Sequence, residues 1–231
     1  MSKPLRDESA CVYCGAPATT RDDVPPRAIF PGRPKSLRVP ACALCNNGAS
    51  KDDEYVALVM SRKHRDRPQP VGAVEVALRM ERAHRRSAGL RATVDPHTVL
   101  IAPRTPAGIV LPVQSWTMVN MERVERVLAR LVRGIYWYRT GERLPKELRV
   151  VAVSKDDLKP EQVMWLVDLK PAEWDRGHVG RGEIVFRYQV TRYEPFGEHG
   201  TLWLLGFYNE WDFVVQTGEA AQAPVSADSA R

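Results

Sequence analysis

The sequence predicts an α+β protein: a small metal-stapled module at the N-terminus, followed by a helical and antiparallel-sheet domain. Three observations predict it. All four cysteines fall in the first fifth of the 231-residue chain, as the C-x-x-C pairs Cys11/Cys14 and Cys42/Cys45. Mid-chain, MVNMERVERVLARLVRGIYWYRTG places Met121, Val124, Leu128, Leu131 and Ile135 at i+3/i+4 spacing. Near the C-terminus, EIVFRYQVTRY, TLWLLGFY and WDFVVQT alternate as antiparallel strands do.

The elements follow in chain order. Residues 1–9 read as a flexible polar leader. Residues 10–65 form the metal module, dense in Cys, Pro, Gly, Asp and Asn up to about Glu54. Its last part, NNGASKDDEYVALVMSRKHR, reads as a helix with Tyr55, Leu58, Val59 and Arg62 near one face, stopped by Pro68 and Pro70. Residues 66–114 are a basic helical linker region. There Val71–Arg86 reads as a helix with Val74, Ala77, Leu78 and Glu81 on one side, and Gly89–Pro112 as loop with one or two short strands. Residues 115–217 hold the long helix ended by Gly141, a buried strand at 148–154, a short helix near 160–168 and the three alternating strands. The Ala/Ser/Pro-rich tail, 218–231, reads as disordered.

Composition narrows the function class. Hydrophobic residues at 44% and charged residues at 27% exclude collagen-like, coiled-coil and wholly disordered chains. No run of about 18 apolar residues is present, and MSKPLRDESA lacks the apolar core of a secretory signal. The expectation is a cytoplasmic protein with no membrane partner. Net charge is +6 with a pI near 9.3. Residues 62–91 carry nine Lys/Arg against three acids, an excess equal to the whole net charge. Arg62, Lys63, Arg79, Arg82, Arg85 and Arg86 are therefore the candidate nucleic-acid contacts, since clustered cations release phosphate counterions. A solvated helix face looks the same in sequence.

Two C-x-x-C pairs without an export signal point to metal rather than disulfides. Cys11, Cys14, Cys42 and Cys45 are the candidate ligands of one structural zinc, each pair offering two thiolates from one turn. The 27 residues between the pairs exceed the usual ribbon spacing of about 15–20, so extra structure is looped out between them. Four unligated thiols are the alternative.

From residue 10 to residue 55 the chain resembles the HNH endonuclease family in its treble-clef, four-cysteine form. The matching residues are Cys11 and Cys14, Asp22-x-Val24-Pro25-Pro26, Leu37, Val39-Pro40, and Cys42-x-x-Cys45-Asn46 with Gly48 and Lys51. The remainder is similar to the helix-plus-strands portion of bacterial HNH proteins, with VLARLVRGIYWYRTGERLP its most distinctive phrase. The resemblance implies a ββα-metal module, a catalytic Mg²⁺ or Mn²⁺ and phosphodiester hydrolysis in DNA before RNA. By position, Asp22 and Asn46 take the metal-ligand places and Asp23 the place of the general-base histidine. Ser36 stands where the orienting Asn usually precedes Leu. A carboxyl titrating near about 3.9 is a weak base at neutral pH, so the implied nuclease is altered in activity.

Two other readings stand beside it: a catalytically inactive zinc module that binds nucleic acid, and a protein-interaction scaffold presenting Trp165, Trp174, Trp203 and Trp211. Asp22 and Asp23 also suit an acidic turn next to Pro25, and Asn46 a helix cap. His64, His84, His97, His178 and His199 show no metal spacing; His178 and His199 read as loop residues. Glu81-x-x-His84 is a single phrase where a di-metal bundle needs two.

Overall fold

The structure is a computed structural model describing residues 6–30, 36–62, 71–168, 175–179, 185–208 and 211–219. It is mixed helix and sheet. β1 (Thr20–Val24) and β2 (Leu37–Ala41) pair antiparallel from Thr20↔Ala41 to Val24↔Leu37. This hairpin is the structure looped out between the two cysteine pairs. α1 (Ala43–Gly48) and α2 (Ser50–Arg62) follow. In α2 every residue from Tyr55 to Ser61 is buried, so the expected single apolar face is an entire buried half-helix, as in a helix packed on all sides.

α3 (Val71–Arg86) spans the predicted range, but its face differs. Ala73, Val76 and Met80 are buried, while Val74 and Leu78 are exposed. The helix carries two overlapping apolar stripes, and packing against α2 buries the one through Val76. α4 (Ala88–Val94) occupies sequence expected as loop; the Ser87 side chain caps it by accepting from Leu90 N. β3 (Thr98–Ile101) and β4 (Gln114–Thr117) form a second hairpin. α5 (Met121–Thr140) is capped at one end by Asn120, and Gly141 follows it at φ +81°. That left-handed conformation is the reason for glycine there.

β5 (Arg149–Ser154), α6 (Pro160–Asp168), β6 (Asp175–Val179), β7 (Phe186–Arg192), β8 (Thr201–Phe207) and β9 (Trp211–Gly218) complete the chain. The sheet order is β5-β9-β8-β7-β6, with every neighbour antiparallel. β6 was not expected. Its glycine hid it, and Gly177 is there because the Tyr188 ring lies where a Cβ would be, 2.4 Å away. One sheet face sends Trp203, Leu205, Phe207, Phe213 and Val215 into the main core; Leu202, Val214 and Phe196 form a smaller cluster with Trp165 and Leu166.

The main core runs without a break from Val12 and Phe30 through α2 and α5 to Val215. The units expected at 10–65, 66–114 and 115–217 thus share one core. Polar ties reinforce it: Tyr208 Oη donates to Ile29 O, Trp211 Nε1 to Met60 O (3.0 Å) and Asn120 N to Tyr55 Oη (2.7 Å). Arg6, in the stretch read as leader, donates to Tyr138 O and lies over the Tyr138 ring. Residues 1–5 and 220–231 lie outside the described residues. No helix among the described residues is long and apolar enough to cross a membrane.

Candidate metal centre and acidic groove

The sulfurs of Cys11, Cys14, Cys42 and Cys45 lie within 4.8 Å of one another, a group that can hold a metal ion such as zinc. Cys14 Sγ and Cys42 Sγ are 3.7 Å apart, close to the edge of about 3.8 Å that four thiolates define around zinc at about 2.3 Å. Each pair is shaped by its own backbone. In the first, Gly15 at φ +78° turns the chain, Gly15 N donates to Cys11 O (2.9 Å) and Cys11 N to Ala16 O (2.7 Å). In the second, Cys42 caps α1 and accepts from Cys45 N at 3.4 Å. That N–H is the first cause lowering the Cys42 thiol to about 7, while burial pushes the Cys45 thiol up. Val12 N to Pro40 O (3.0 Å) and Thr19 N to Ala41 O (3.1 Å) fasten the two pairs to the hairpin.

The residues placed at the catalytic positions by resemblance are each engaged in contacts within the fold. Asp22 and Asp23 are neighbours on β1 and both line one shallow groove. Asp22, buried, accepts from Tyr13 Oη at 2.7 Å and from Arg130 Nη2 at 2.5 Å. Burial pushes the Tyr13 hydroxyl well up, so it remains a donor. Asp23 accepts from Ser36 Oγ at 2.8 Å and pairs with Arg27 at 2.5 Å. Ser36 therefore serves Asp23, where the family pattern expects an Asn. Asn46 Nδ2 donates to Thr20 Oγ1 (3.1 Å) and Arg21 O (3.2 Å), clamping α1 to β1. Among the described residues the four cysteines are the one such ligand group, so a catalytic Mg²⁺ or Mn²⁺ is unsupported.

Sequence reading missed the residues that organise this region. Arg130 of α5 bridges Asp22 and, at 2.8 Å, Asp53 of α2. One turn away Arg126 holds Asp52 at 2.7 Å with Arg123 at 3.6 Å. Asp53 is pushed up to about 6, first by burial, with Asp22 and Asp52 adding to it against the pull of Arg130. The only sequence signal for this stripe is the 3- and 4-residue spacing of Arg123, Arg126 and Arg130, which a solvated helix face shares. Above the stripe lies a shallow groove of about 230 Å³ lined by Asp22, Asp23, Arg27, Asp53 and Glu54 among others. Its rim is acidic, and unaided it repels phosphate.

The basic candidates separate into two groups. Arg62 pairs with Glu81 at 3.1 Å, and Arg79 donates to Phe30 O (2.9 Å) and Ala28 O, so both are spent on the fold. Arg82, Arg85 and Arg86 are exposed at the end of α3. Lys63 and His64 lie outside the described residues. With Glu81 on Arg62 and His84 on Asp95 at 2.7 Å, the Glu-x-x-His phrase holds no common ion. His178 stands on β6, not in a loop. Of the tryptophans, Trp203 is buried, Trp211 and Trp165 are packed against the two cores, and Trp174 lies outside the described residues. Of the four expected to form a docking face, only Trp203 is fully buried among the described residues.

Comparison of the chain with protein-family models, with curated proteins and with solved structures finds no match.

Proposed function

We propose that this chain is a zinc-stapled nucleic-acid-binding module of the HNH type whose acidic pair serves structure instead of cleavage. The observation that carries it is the division of charge. Asp22 and Asp23 are occupied by Arg130, Tyr13, Arg27 and Ser36, while Arg82, Arg85 and Arg86 remain exposed at i, i+3 and i+4 on one helix. A phosphate backbone, DNA before RNA, is what such a trio recognises, by charge and without sequence readout.

Anisotropy of labelled duplex and single-stranded DNA tests it. Binding at about 50 mM salt is expected to weaken steeply toward about 200 mM. Replacing Arg82, Arg85 and Arg86 by Ala is expected to lower the slope of log K against log salt by about 2–3. Absence of binding to both DNAs at low salt refutes the reading.

A second reading, metal-dependent hydrolysis, is favoured by the carboxylates on the rim of the groove. It expects nicking of plasmid DNA with Mn²⁺ that Asp23→Ala abolishes and Asp23→His enhances. Under the binding reading neither protein cleaves, with zinc bound and the fold intact.

A further inference from the structure

The four sulfurs of the cysteine group are the chain's only thiols, and they are unequally protected. Cys11 is fully buried, Cys42 and Cys45 are partly buried, and Cys14 is exposed. Oxidation of cysteine follows exposure and thiolate character, and a cysteine that ligates a metal does so as the thiolate. Cys14 is therefore the sulfur that a small oxidant in solvent reaches first. A partner for it stands on the other turn: Cys42 Sγ lies 3.7 Å from Cys14 Sγ.

The segment that these two sulfurs bracket reaches far into the fold. Ile29, Phe30 and Val39 lie between them in sequence and are fully buried in the main core. α3 rests on the same segment through Arg79, which donates to Phe30 O (2.9 Å) and to Ala28 O. Arg82, Arg85 and Arg86 follow Arg79 within two turns of that helix. The cysteine group thus fastens both one edge of the core and the helix that carries the exposed arginines.

We propose that the cysteine group is a peroxide-sensitive switch, in which Cys14 is oxidised, Cys42 resolves it, and the disulfide between the two turns dismantles the metal site. In the first step the Cys14 thiolate attacks one oxygen of hydrogen peroxide. The O–O bond breaks, hydroxide leaves and a sulfenic acid forms on Cys14. In the second step the Cys42 thiolate attacks that sulfur, the S–S bond forms and the S–O bond breaks with loss of a second hydroxide. Two protons from solvent turn both hydroxides into water, so one peroxide is reduced by the two electrons that the two sulfurs give up. Two thiolates remain, too few for a closed tetrahedral zinc site. A dithiol reductant returns both sulfurs to thiolates by exchange.

Exposure of the full-length, zinc-loaded protein to a modest excess of hydrogen peroxide tests this, with released zinc read by a chromogenic chelator and the chain by mass spectrometry. Zinc release is expected to keep pace with loss of two hydrogens from the thiol form. A Cys14–Cys42 disulfide is expected in the peptide map, and a dimedone adduct at Cys14 when that trap is present. Dithiothreitol with added zinc is expected to restore both metal content and tryptophan fluorescence. Cys14→His keeps a fourth zinc ligand but offers no sulfur there, and is expected to slow zinc release about tenfold or more. Zinc retained by the peroxide-treated wild type overturns the proposal, as does a disulfide confined to Cys11–Cys14 or Cys42–Cys45. So does a folded Cys14→His chain that releases zinc as fast as wild type; the peptide map of the wild type decides without the variant. None of these readouts uses DNA, so a chain that passes them and binds no DNA refutes the nucleic-acid reading alone.

Discussion

Arg130 is the residue on which the acidic region turns. It satisfies Asp22 and Asp53 together, and its guanidinium lies 5.5 Å from the Tyr13 ring centroid. Removing one partner of a buried ion pair costs about 3–5 kcal/mol, since the other charge is left without compensation. Arg130→Met is expected to destabilise by that amount in urea unfolding, and Asp22→Asn with Asp53→Asn in the same chain to recover most of it. A loss confined to about 0.5 kcal/mol would show that solvent already carries these charges. Asp53 adds a pH dependence. With its carboxyl near 6 in the folded chain and near about 3.9 unfolded, the folded state holds more protons between those values. Stability therefore falls as pH rises through that window and levels above it. Between pH about 5 and about 7, at saturating zinc, wild type is expected to lose about 1 kcal/mol relative to Asp53→Asn; a flat or rising difference contradicts the assignment. None of this was legible in sequence, because a guanidinium 108 residues from Asp22 leaves no local pattern. The four cysteines were legible because metal chemistry fixes both residue type and spacing.

At the scale of elements, periodicity revealed where helices run but not which side they bury. α3 spans its predicted residues, yet Val76 and Met80 face inward and Val74 and Leu78 outward, a choice made by α2. α4 and β6 were missed for opposite reasons. A seven-residue helix has little room for a period, and β6 carries a glycine demanded by the neighbouring Tyr188 ring. α5 shows how an element can be positioned by one absent side chain. A Cβ on Gly134 would lie 2.7 Å from Val24 Cγ2, so glycine lets the helix settle onto the end of β1. Alanine in a helix interior ordinarily gains about 1 kcal/mol over glycine, while overpacking costs about 1–3 kcal/mol. Gly134→Ala is expected to lose up to about 2 kcal/mol in wild type and to become stabilising in a Val24→Ala background. Equal effects in both backgrounds would show that the two side chains do not meet.

For the whole molecule, the shared core sets what loss of a metal from the cysteine group would do. A metal-stapled module that folded by itself would lose only its own structure with the metal. In the fold, Ile29, Phe30 and Val39 from the looped-out hairpin region are fully buried in the same cluster as α2, α5 and the sheet. Arg79 and Tyr208 hold the Ile29–Phe30 backbone from distant parts of the chain. Loosening the cysteine group therefore uncovers one side of α2 and removes packing from α5. Structural zinc binds with about 10–16 kcal/mol in isolated modules, against a total stability of about 5–15 kcal/mol for a domain. Chelation, or Cys42→Ser, is thus expected to unfold the chain as one unit. Trp137 and Trp203 report on this, being buried in the main core and far in sequence from any cysteine. Their fluorescence is expected to shift in step with the loss of far-ultraviolet ellipticity during a chelator titration, both following zinc release. Sheet ellipticity that persists after zinc has left would mean that the contacts from Arg79, Tyr208 and Val24 are too weak to make hairpin and sheet fold together.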